Sequence, residues 1–227
     1  MMKSVCIVIP AYNEELNLEG AVKGALWAVR SSAADYELII VDDGSSDKTG
    51  QVAKKLSSKN PNIKVIRHRQ NLGFGQTVRD GFKAATKDYT VGFPGDNDTS
   101  AKSLKELVEK AGSADVIISY NANPGSRTFL RRLFSKSFTL LMNLLFRLNL
   151  KYYNGSFICK SELLKKLPLK SQGMAVYAEA KVRLLKKGYS YLEIPFTHTG
   201  RKHGKSTAVS GNSIRQTLLT IYYLLTD

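Results

Sequence analysis

The sequence is poor in acidic residues for its length. Its 227 residues include 34 lysines and arginines against 19 aspartates and glutamates, which gives a formal net charge of +15. Such an excess of positive charge favours anionic partners: nucleic acid, an anionic membrane face or a phosphorylated substrate. Hydrophobic residues make up 43% and charged residues 23%, as in an ordinary globular protein that buries a substantial core.

Cysteine and long apolar runs are also scarce. Cys6 and Cys159 lie in apolar strand-like runs, which predicts buried free thiols and fits a reducing compartment. No Cys/His cluster has the spacing of a zinc site. The apolar run that ends at Pro10 is too short for a signal peptide, and no stretch is apolar for the roughly 18 residues of a transmembrane helix. A longer natural protein with a C-terminal anchor is compatible with these observations.

The first half of the chain alternates between two kinds of segment. Runs rich in Val and Ile predict strands at residues 5–9, 37–41, 63–67, 89–93 and 115–119. The stretches between them predict helices at residues 14–30, 47–58, 75–86 and 103–111, with Asn13 and Ser46 as N-caps of the first two. The alternation predicts an α/β fold with a mainly parallel sheet and helices on both faces.

The second half is less regular. It predicts a long apolar helix with interspersed basic residues at 128–150, a strand at 152–160 and a helix at 175–187. A strand at 189–195 then enters a basic loop at 200–206, and a short apolar helix follows at 214–225. Without an internal repeat, a low-complexity tract or a clear linker, we expect a single domain.

Polar residues gather where the predicted strands end. In an open α/β sheet, ligands bind at the carboxyl ends of the strands. Asp96-Asn97-Asp98 follows the fourth strand, and two carboxylates so close together repel unless a cation such as Mg²⁺ or Mn²⁺ lies between them and a phosphate. A solvated Asp/Asn turn is the alternative. This pattern therefore leaves two readings open: a metal-diphosphate site and an ordinary turn.

The other strand ends carry side chains suited to a nucleoside. Tyr12 and Glu14 follow the first strand and could contact a base or ribose. Asp42 and Asp43 follow the second strand and exceed what a helix cap needs. The turn Asn71-Leu72-Gly73 follows the third strand, and its glycine permits close approach of the backbone to a ligand. An ordinary strand-to-helix junction is the alternative for the first of these loops.

Taken together, these segments resemble the family-two glycosyltransferases of GT-A fold, and in particular their polyprenyl-phosphate sugar transferases, the dolichol-phosphate mannose synthase type. The motifs that carry the resemblance stand in the family's order and spacing: Pro10-Ala11-Tyr12-Asn13-Glu14, Val41-Asp42-Asp43-Gly44-Ser45-Ser46-Asp47, Asn71-Leu72-Gly73 and Asp96-Asn97-Asp98.

The resemblance implies a GT-A, Rossmann-like fold over residues 1–227, with a nucleotide-sugar half at 1–120 and an acceptor half with interfacial helices at 121–227. It implies a GDP- or UDP-linked hexose as donor, Mg²⁺ or Mn²⁺ as cofactor, and inversion at the anomeric carbon. The donor-binding residues it implies are Pro10, Ala11, Tyr12, Glu14, Asp42, Gly73, Asp96, Asn97 and Lys205. The metal ligands would be Asp96 and Asp98, and the catalytic residues Asp98, Glu179 and Arg201.

The resemblance further implies a polyprenyl phosphate acceptor and a cytoplasmic enzyme, peripheral at the inner membrane face. The acceptor-binding residues would be Arg131, Arg132, Asn154 and Lys202. The basic loop 200–206 matches a family loop that closes over the diphosphate. The helix after Arg132 has the composition of a helix lying in a membrane interface, and a core-facing amphipathic helix is the alternative.

The acceptor decides whether a general base is needed. A phosphate is already anionic at neutral pH, with a second pKa of about 6. A sugar-hydroxyl or glycolipid acceptor in cell-envelope synthesis would instead require a carboxylate base. Glu179 is the candidate base, and a surface helix glutamate is its alternative. A nucleic-acid-binding protein is the non-enzyme alternative, but the acidic strand ends would repel phosphates, so we expect no nucleic-acid partner.

Overall fold

A computed structural model describes residues 3–123, 129–197, 199–200 and 211–226. The strands in this part of the chain are β1 Ser4–Ala11, β2 Asp35–Asp42, β3 Ile63–Arg67, β4 Tyr89–Gly92, β5 Val116–Asn121, β6 Phe157–Lys160 and β7 Tyr191–Phe196. The helices are α1 Leu18–Arg30, α2 Thr49–Lys59, α3 Phe74–Ala84, α4 Ala101–Lys110, α5 Phe129–Phe146, α6 Ser161–Lys165, α7 Val176–Lys186 and α8 Gly211–Thr226.

The seven strands form one sheet in the order β3-β2-β1-β4-β6-β5-β7. All neighbouring pairs are parallel except those of β6, which runs antiparallel to both β4 and β5. The predicted α/β fold with a mainly parallel sheet is therefore confirmed. The sheet continues through both halves of the chain, because β6, β5 and β7 extend the edge that β4 begins.

Strand β1 shows why the sequence predicts buried strands so well. Successive side chains of a strand point to opposite faces of the sheet. Cys6 and Val8 pack in the core shared with α3, α5, α6, α7 and α8, whereas Val5, Ile7 and Ile9 pack in the core shared with α1, α2 and α4. Because helices cover both faces, the buried positions from Val5 to Ala11 are all apolar.

The ends of the first helices differ from the prediction. Helix α1 begins at Leu18 after Asn17, and α2 begins at Thr49 after Lys48, so the predicted N-caps Asn13 and Ser46 are wrong. Asn13 has a φ of 53°, in the left-handed region, and belongs to the loop that precedes α1. Asn13 and Ser46 do not cap the helices because their side chains bond each other across the two loops.

Other elements of the second half also differ. The strand predicted at 152–160 begins only at Phe157 as β6, and residues 151–156 form a loop. Helix α6 was not predicted. Cys6 and Cys159 are buried free cysteines, as predicted. Within the described residues, no helix is both long enough and apolar enough to cross a bilayer.

Candidate active site

The carboxyl ends of β1, β2 and β4 lie side by side. The backbone N–H of Asp43 donates to the carbonyl oxygen of Ala11 at 2.9 Å, and the N–H of Gly95 donates to that of Pro10 at 3.1 Å. The end of β1 therefore holds the Asp42-Asp43 loop on one side and the loop with the acidic motif on the other. This is the edge where the sequence predicts a ligand.

The loop after β1 is bonded to the loop after β2. The amide oxygen of Asn13 accepts from the backbone N–H of Ser46 at 3.0 Å, and the N–H of Asn13 donates to the hydroxyl of Ser45 at 3.0 Å. The N–H of Glu14 donates to the hydroxyl of Thr49 at 2.7 Å. Tyr12, the aromatic residue of the loop after β1, is 46% exposed. The two loops thus form one bonded unit that leaves a ring accessible to a ligand.

Asp42 is fully buried at the end of β2. One carboxylate oxygen accepts from the backbone N–H of Ser45 at 3.0 Å, and the other lies 3.1 Å from Nε of Arg67. Gly50 makes room for this carboxylate, since a Cβ at that position would lie 2.8 Å from its Oδ2. Asp42 is therefore held rigidly, with a half-exposed arginine as its partner.

Asp43 has a different role from the one predicted. Its carboxylate accepts hydrogen bonds from the backbone N–H groups of Leu72 at 2.8 Å and Gly73 at 2.9 Å. Nδ1 of His68 lies 2.7 Å from the same carboxylate, so the protein itself uses the oxygens that we expected to face a base or ribose. Gly73 has a φ of 90°, which agrees with the predicted tight turn.

The acidic motif is a turn that is tied to the end of β7. The backbone N–H of Asp98 donates to Oδ1 of Asp96 at 3.2 Å, and Asn97 has a left-handed φ of 56°. Thr199 donates from its N–H to the carbonyl oxygen of Asp98 at 2.9 Å. Gly200, the first residue of the predicted basic loop 200–206, follows Thr199 directly, so the described start of that loop lies close to the acidic motif.

A divalent cation fits this donor set if a substrate completes it. Asp96 and Asp98 offer the hard carboxylate oxygens that Mg²⁺ and Mn²⁺ prefer. In the part of the chain that the structure describes, no group of three or more His, Cys, Asp or Glu residues could hold a metal ion. Two carboxylates would leave coordination positions for diphosphate oxygens, which suits a metal shared between protein and substrate.

Tyr177 is a residue at this edge that the sequence does not single out. It lies on α7, is buried, and its hydroxyl contacts the position that a Cβ on Gly92 of β4 would occupy. Burial, and next the negative charge of Asp96, raise the pKa of Tyr177. Its hydroxyl has no hydrogen-bond partner among the described residues. A Tyr-Gly contact between distant segments leaves no local signal in the sequence.

Glu179 lies in the interior, with 0% of its surface exposed. Its carboxylate accepts from the backbone N–H and the hydroxyl of Ser171 at 2.8 Å and 2.6 Å, and from the N–H of Lys170 at 3.0 Å. Nε of Arg183 donates to it at 3.0 Å. The predicted alternative of a surface glutamate is wrong. The protein's own donors occupy this carboxylate away from solvent, which disfavours the predicted base role.

The predicted acceptor residues are only partly described. Arg132 lies on α5, with its guanidinium carbon 5.9 Å from the ring centre of Phe129 and a buried Nε that has no hydrogen-bond partner among the described residues. Arg131 lies on the same helix, and nothing is described of its side chain. Asn154 lies partly buried in the 151–156 loop. The predicted site residues Arg201, Lys202 and Lys205 lie outside the described residues.

The chain matches a known protein family over most of its length. Residues 6–182 match the family described as Glycosyl transferase family 2. The chain belongs to glycosyl transferase family 2. The chain is 32% identical over 234 aligned residues to a dolichol-phosphate mannosyltransferase of Pyrococcus furiosus, covering 97% of this chain and 63% of that protein. The chain thus spans less than two thirds of that relative.

The chain is also similar to a second relative in sequence and to a solved structure in fold. An undecaprenyl-phosphate 4-deoxy-4-formamido-L-arabinose transferase of Pectobacterium carotovorum is 32% identical over 62% of this chain and 43% of its own length. The fold is that of glucosyl-3-phosphoglycerate synthase from Mycobacterium tuberculosis, crystallised with Mg²⁺ and UDP, at a TM-score of 0.74 and 18% identity over 98% of this chain and 79% of that one. The predicted GT-A fold is therefore confirmed.

Proposed function

We propose that this family 2 protein is an inverting glycosyltransferase that moves a hexose from a nucleotide-diphosphate sugar to a polyprenyl phosphate at the cytoplasmic membrane face. The observation that carries the proposal is the junction of the β1, β2 and β4 ends, where Asp42 and the Asp96-Asn97-Asp98 turn flank Pro10 and Ala11. The names of the relatives, which are polyprenyl-phosphate sugar transferases, support the same conclusion.

The donor would lie across this junction. The exposed ring of Tyr12 offers a surface for the nucleoside. Asp42, whose buried carboxylate is bonded to Ser45 and Arg67, would hold the loop after β2 in place on the other side of the nucleoside. Asp96 and Asp98 would hold Mg²⁺ or Mn²⁺, which supplies Lewis-acid stabilisation of the leaving diphosphate. The remaining donor-binding residues of the proposal are Pro10, Ala11, Glu14, Gly73, Asn97 and Lys205. Arg201 would add positive charge at the leaving group, as an electrostatic stabiliser.

A phosphate acceptor fits the chemistry of the site better than a hydroxyl. A hydroxyl acceptor needs a positioned carboxylate base. The candidate, Glu179, is buried and already accepts hydrogen bonds from Ser171 and Arg183. A phosphate oxygen brings its own negative charge and needs no base. Arg132, with its buried and unpartnered Nε among the described residues, is the proposed partner of that phosphate, together with Arg131, Asn154 and Lys202.

Two helices on the same side of the sheet offer an apolar surface for the membrane. Helix α5 buries Met142 and Phe146 but leaves Leu140 and Leu144 72% and 75% exposed. Helix α8 also buries one face in the same core and exposes another. The exposed apolar side chains of both helices, with basic residues beside them, suit docking in the plane of a lipid interface. They are Phe129, Leu133, Phe134, Leu140, Leu141, Leu144, Leu145, Ile214, Leu218, Leu219, Tyr222 and Leu225.

The proposed function is tested by measuring donor binding and sugar transfer to the acceptor in the same set of experiments. GDP- and UDP-hexoses are offered with Mn²⁺ or Mg²⁺, donor binding is followed by thermal shift, and turnover is measured with a short-chain polyprenyl phosphate. We expect one donor to stabilise the protein only when metal is present, and its sugar to reach the lipid phosphate. Transfer to a sugar hydroxyl or glycolipid, without transfer to the lipid phosphate, would contradict the proposed acceptor.

Replacing Arg132 by alanine should weaken the binding of the acceptor and leave the binding of the donor unchanged. A charge-assisted contact to phosphate is lost, so we expect the acceptor KM to rise about 10- to 100-fold, corresponding to roughly 1.5–3 kcal/mol. The dissociation constant of the donor should stay within about 2-fold, because the donor binds at the strand ends. Arg147→Ala is the matched control, because Arg147 is an exposed arginine immediately after the other end of α5. An unchanged acceptor KM in Arg132→Ala would remove Arg132 from the acceptor site.

The membrane surface is tested by charging it. The double variant Leu140→Lys, Leu144→Lys places two ammonium groups where the apolar face would enter the lipid. We expect co-sedimentation with phosphatidylglycerol vesicles to fall about 10-fold, since the two lost apolar burials together contribute roughly 2–4 kcal/mol, of which the attraction of the two new lysines to the anionic lipid offsets about 2 kcal/mol. Trp27→Lys is the control, because Trp27 is an exposed apolar side chain of α1 on the other side of the sheet. Equal binding of the double variant and the wild type would refute docking through α5.

A further inference from the structure

Lys181 is a buried lysine with an unusual set of partners. It lies on α7 with 0% of its surface exposed, and no other lysine among the described residues is buried. Its ammonium nitrogen donates to the carbonyl oxygen of Tyr153 at 2.7 Å and to that of Gly155 at 2.7 Å. It also lies 5.7 Å from the ring centre of Phe157. The two carbonyls stand on either side of Asn154, a proposed acceptor-binding residue.

The 151–156 loop that contains Asn154 is held from several elements. Gly155 lies against β5 so closely that a Cβ there would contact the carbonyl oxygen of Ser119. Other elements bond the residues around it: Ser119 Oγ donates to Ser156 O at 2.7 Å, the Tyr153 hydroxyl to Asn143 Oδ1 at 2.8 Å, and Lys151 N to Glu193 Oε1 at 2.8 Å. Lys181 alone among these contacts bonds one carbonyl before Asn154 and another after it.

The use of lysine at this position needs a reason. Burial of the ammonium is unfavourable, and it lowers the pKa of Lys181 to about 7, although the charge of Glu193 on β7 opposes that shift. A methionine of similar length would fill the same space without desolvating a charge. It could not donate to the two carbonyls, and a buried carbonyl without a donor is itself unfavourable. The donors, rather than the packing volume, therefore distinguish Lys181 from an apolar residue.

We infer that Lys181 is a positioning residue that fixes the carbonyl groups of Tyr153 and Gly155, the residues on either side of Asn154, and thereby holds this loop in the geometry that receives the acceptor phosphate. The inference rests on the proposed function, because it takes Asn154 to contact the acceptor. Lys181 lies on the same helix as Tyr177, whose hydroxyl reaches the β4 end of the donor edge. Helix α7 would thus support both substrates: the donor edge through Tyr177 and the acceptor loop through Lys181.

The test compares Lys181→Met with the wild type, using Lys187→Met, an exposed lysine just after α7, as the matched control. We expect Lys181→Met to raise the acceptor KM about 10-fold, as misplaced binding groups do, with the donor dissociation constant within about 2-fold of wild type. Hydrogen-deuterium exchange should become faster in peptides covering residues 151–156. Lys181→Gln, which retains two N–H donors, should recover part of the acceptor KM.

The possible outcomes separate this inference from the proposed function. If wild-type protein does not use polyprenyl phosphate at all, both the proposed acceptor and the role of Lys181 are refuted. If the wild type does use it and Lys181→Met leaves the acceptor KM unchanged, only the role of Lys181 is refuted. A parallel loss of donor affinity and of thermal stability, with no recovery in Lys181→Gln, would show that the lysine serves general stability and would also overturn the inference.

Discussion

Asp98→Asn is expected to lower kcat by about three orders of magnitude, because the proposed metal would lose a charged ligand where negative charge develops on the leaving diphosphate. The fold should persist, since the backbone of residue 98 still bonds Thr199 through its carbonyl oxygen. The measurement is steady-state turnover with saturating donor and Mn²⁺. Isothermal titration of the donor, with and without Mn²⁺, should show that the variant has lost the metal-dependent part of the affinity.

A matched control lies at the other end of the same strand. Asp88 is exposed immediately before β4, where its carboxylate accepts from the hydroxyl of Ser4 at 2.6 Å. Asp88→Asn changes the net charge by the same amount and should leave kcat within about 2-fold of wild type, since exposed charges are screened by solvent. Turnover of Asp98→Asn within about 10-fold of wild type, or turnover that persists after chelation of divalent metal, would contradict the metal assignment.

Glu179→Ala is expected to have the largest effect on stability. It removes the carboxylate that accepts from Ser171, Lys170 and Arg183 in the interior, and it leaves the guanidinium of Arg183 without this partner. Breaking a buried ion pair on one side costs about 3–5 kcal/mol of unfolding free energy. Urea unfolding, followed by circular dichroism, measures this loss. The physical cause is an uncompensated charge and unsatisfied donors in a low-dielectric environment.

An exposed pair of the same spacing provides the control. Glu109 lies 3.6 Å from Lys105 on α4, four residues apart like Glu179 and Arg183, but with solvent around both. Glu109→Ala should change the unfolding free energy by no more than about 0.5 kcal/mol. If Glu179→Gln instead lowers kcat strongly while the unfolding free energy stays at the wild-type value, Glu179 acts as a base and the hydroxyl-acceptor alternative regains support.

The first half of the fold was predictable because its signals are local. Strand β3, at the edge of the sheet, has the predicted bounds of 63–67. Strands β1, β2, β4 and β5 lie within two residues of their predicted bounds, since strands that are largely buried are continuous in apolar character. Because these strands are parallel, their carboxyl ends lie at the same edge of the sheet. The placement of Asp42 and of the Asp96-Asn97-Asp98 turn on the two sides of the end of β1 is thus largely a consequence of sequence pattern and topology.

The partners of polar side chains were much harder to predict. Asp43 has the same local context as Asp42, yet it bonds the Leu72-Gly73 turn, and Asn13 bonds Ser46 instead of capping α1. These choices depend on which loops arrive at the same edge of the sheet. A hydrogen bond between residues about thirty positions apart leaves no periodic pattern, so propensities alone select the wrong partner.

Local sequence pattern was enough to predict the parallel α/β half, the buried free cysteines and the acidic edge, because hydrophobic periodicity and turn chemistry act between near neighbours. Contacts between distant segments place β6 antiparallel between β4 and β5 and turn Glu179 and Lys181 inward. A charged residue on a helix is predicted to face solvent unless distant groups compensate it. For Lys181 those groups are carbonyls 26 and 28 residues away, which only folding brings into contact.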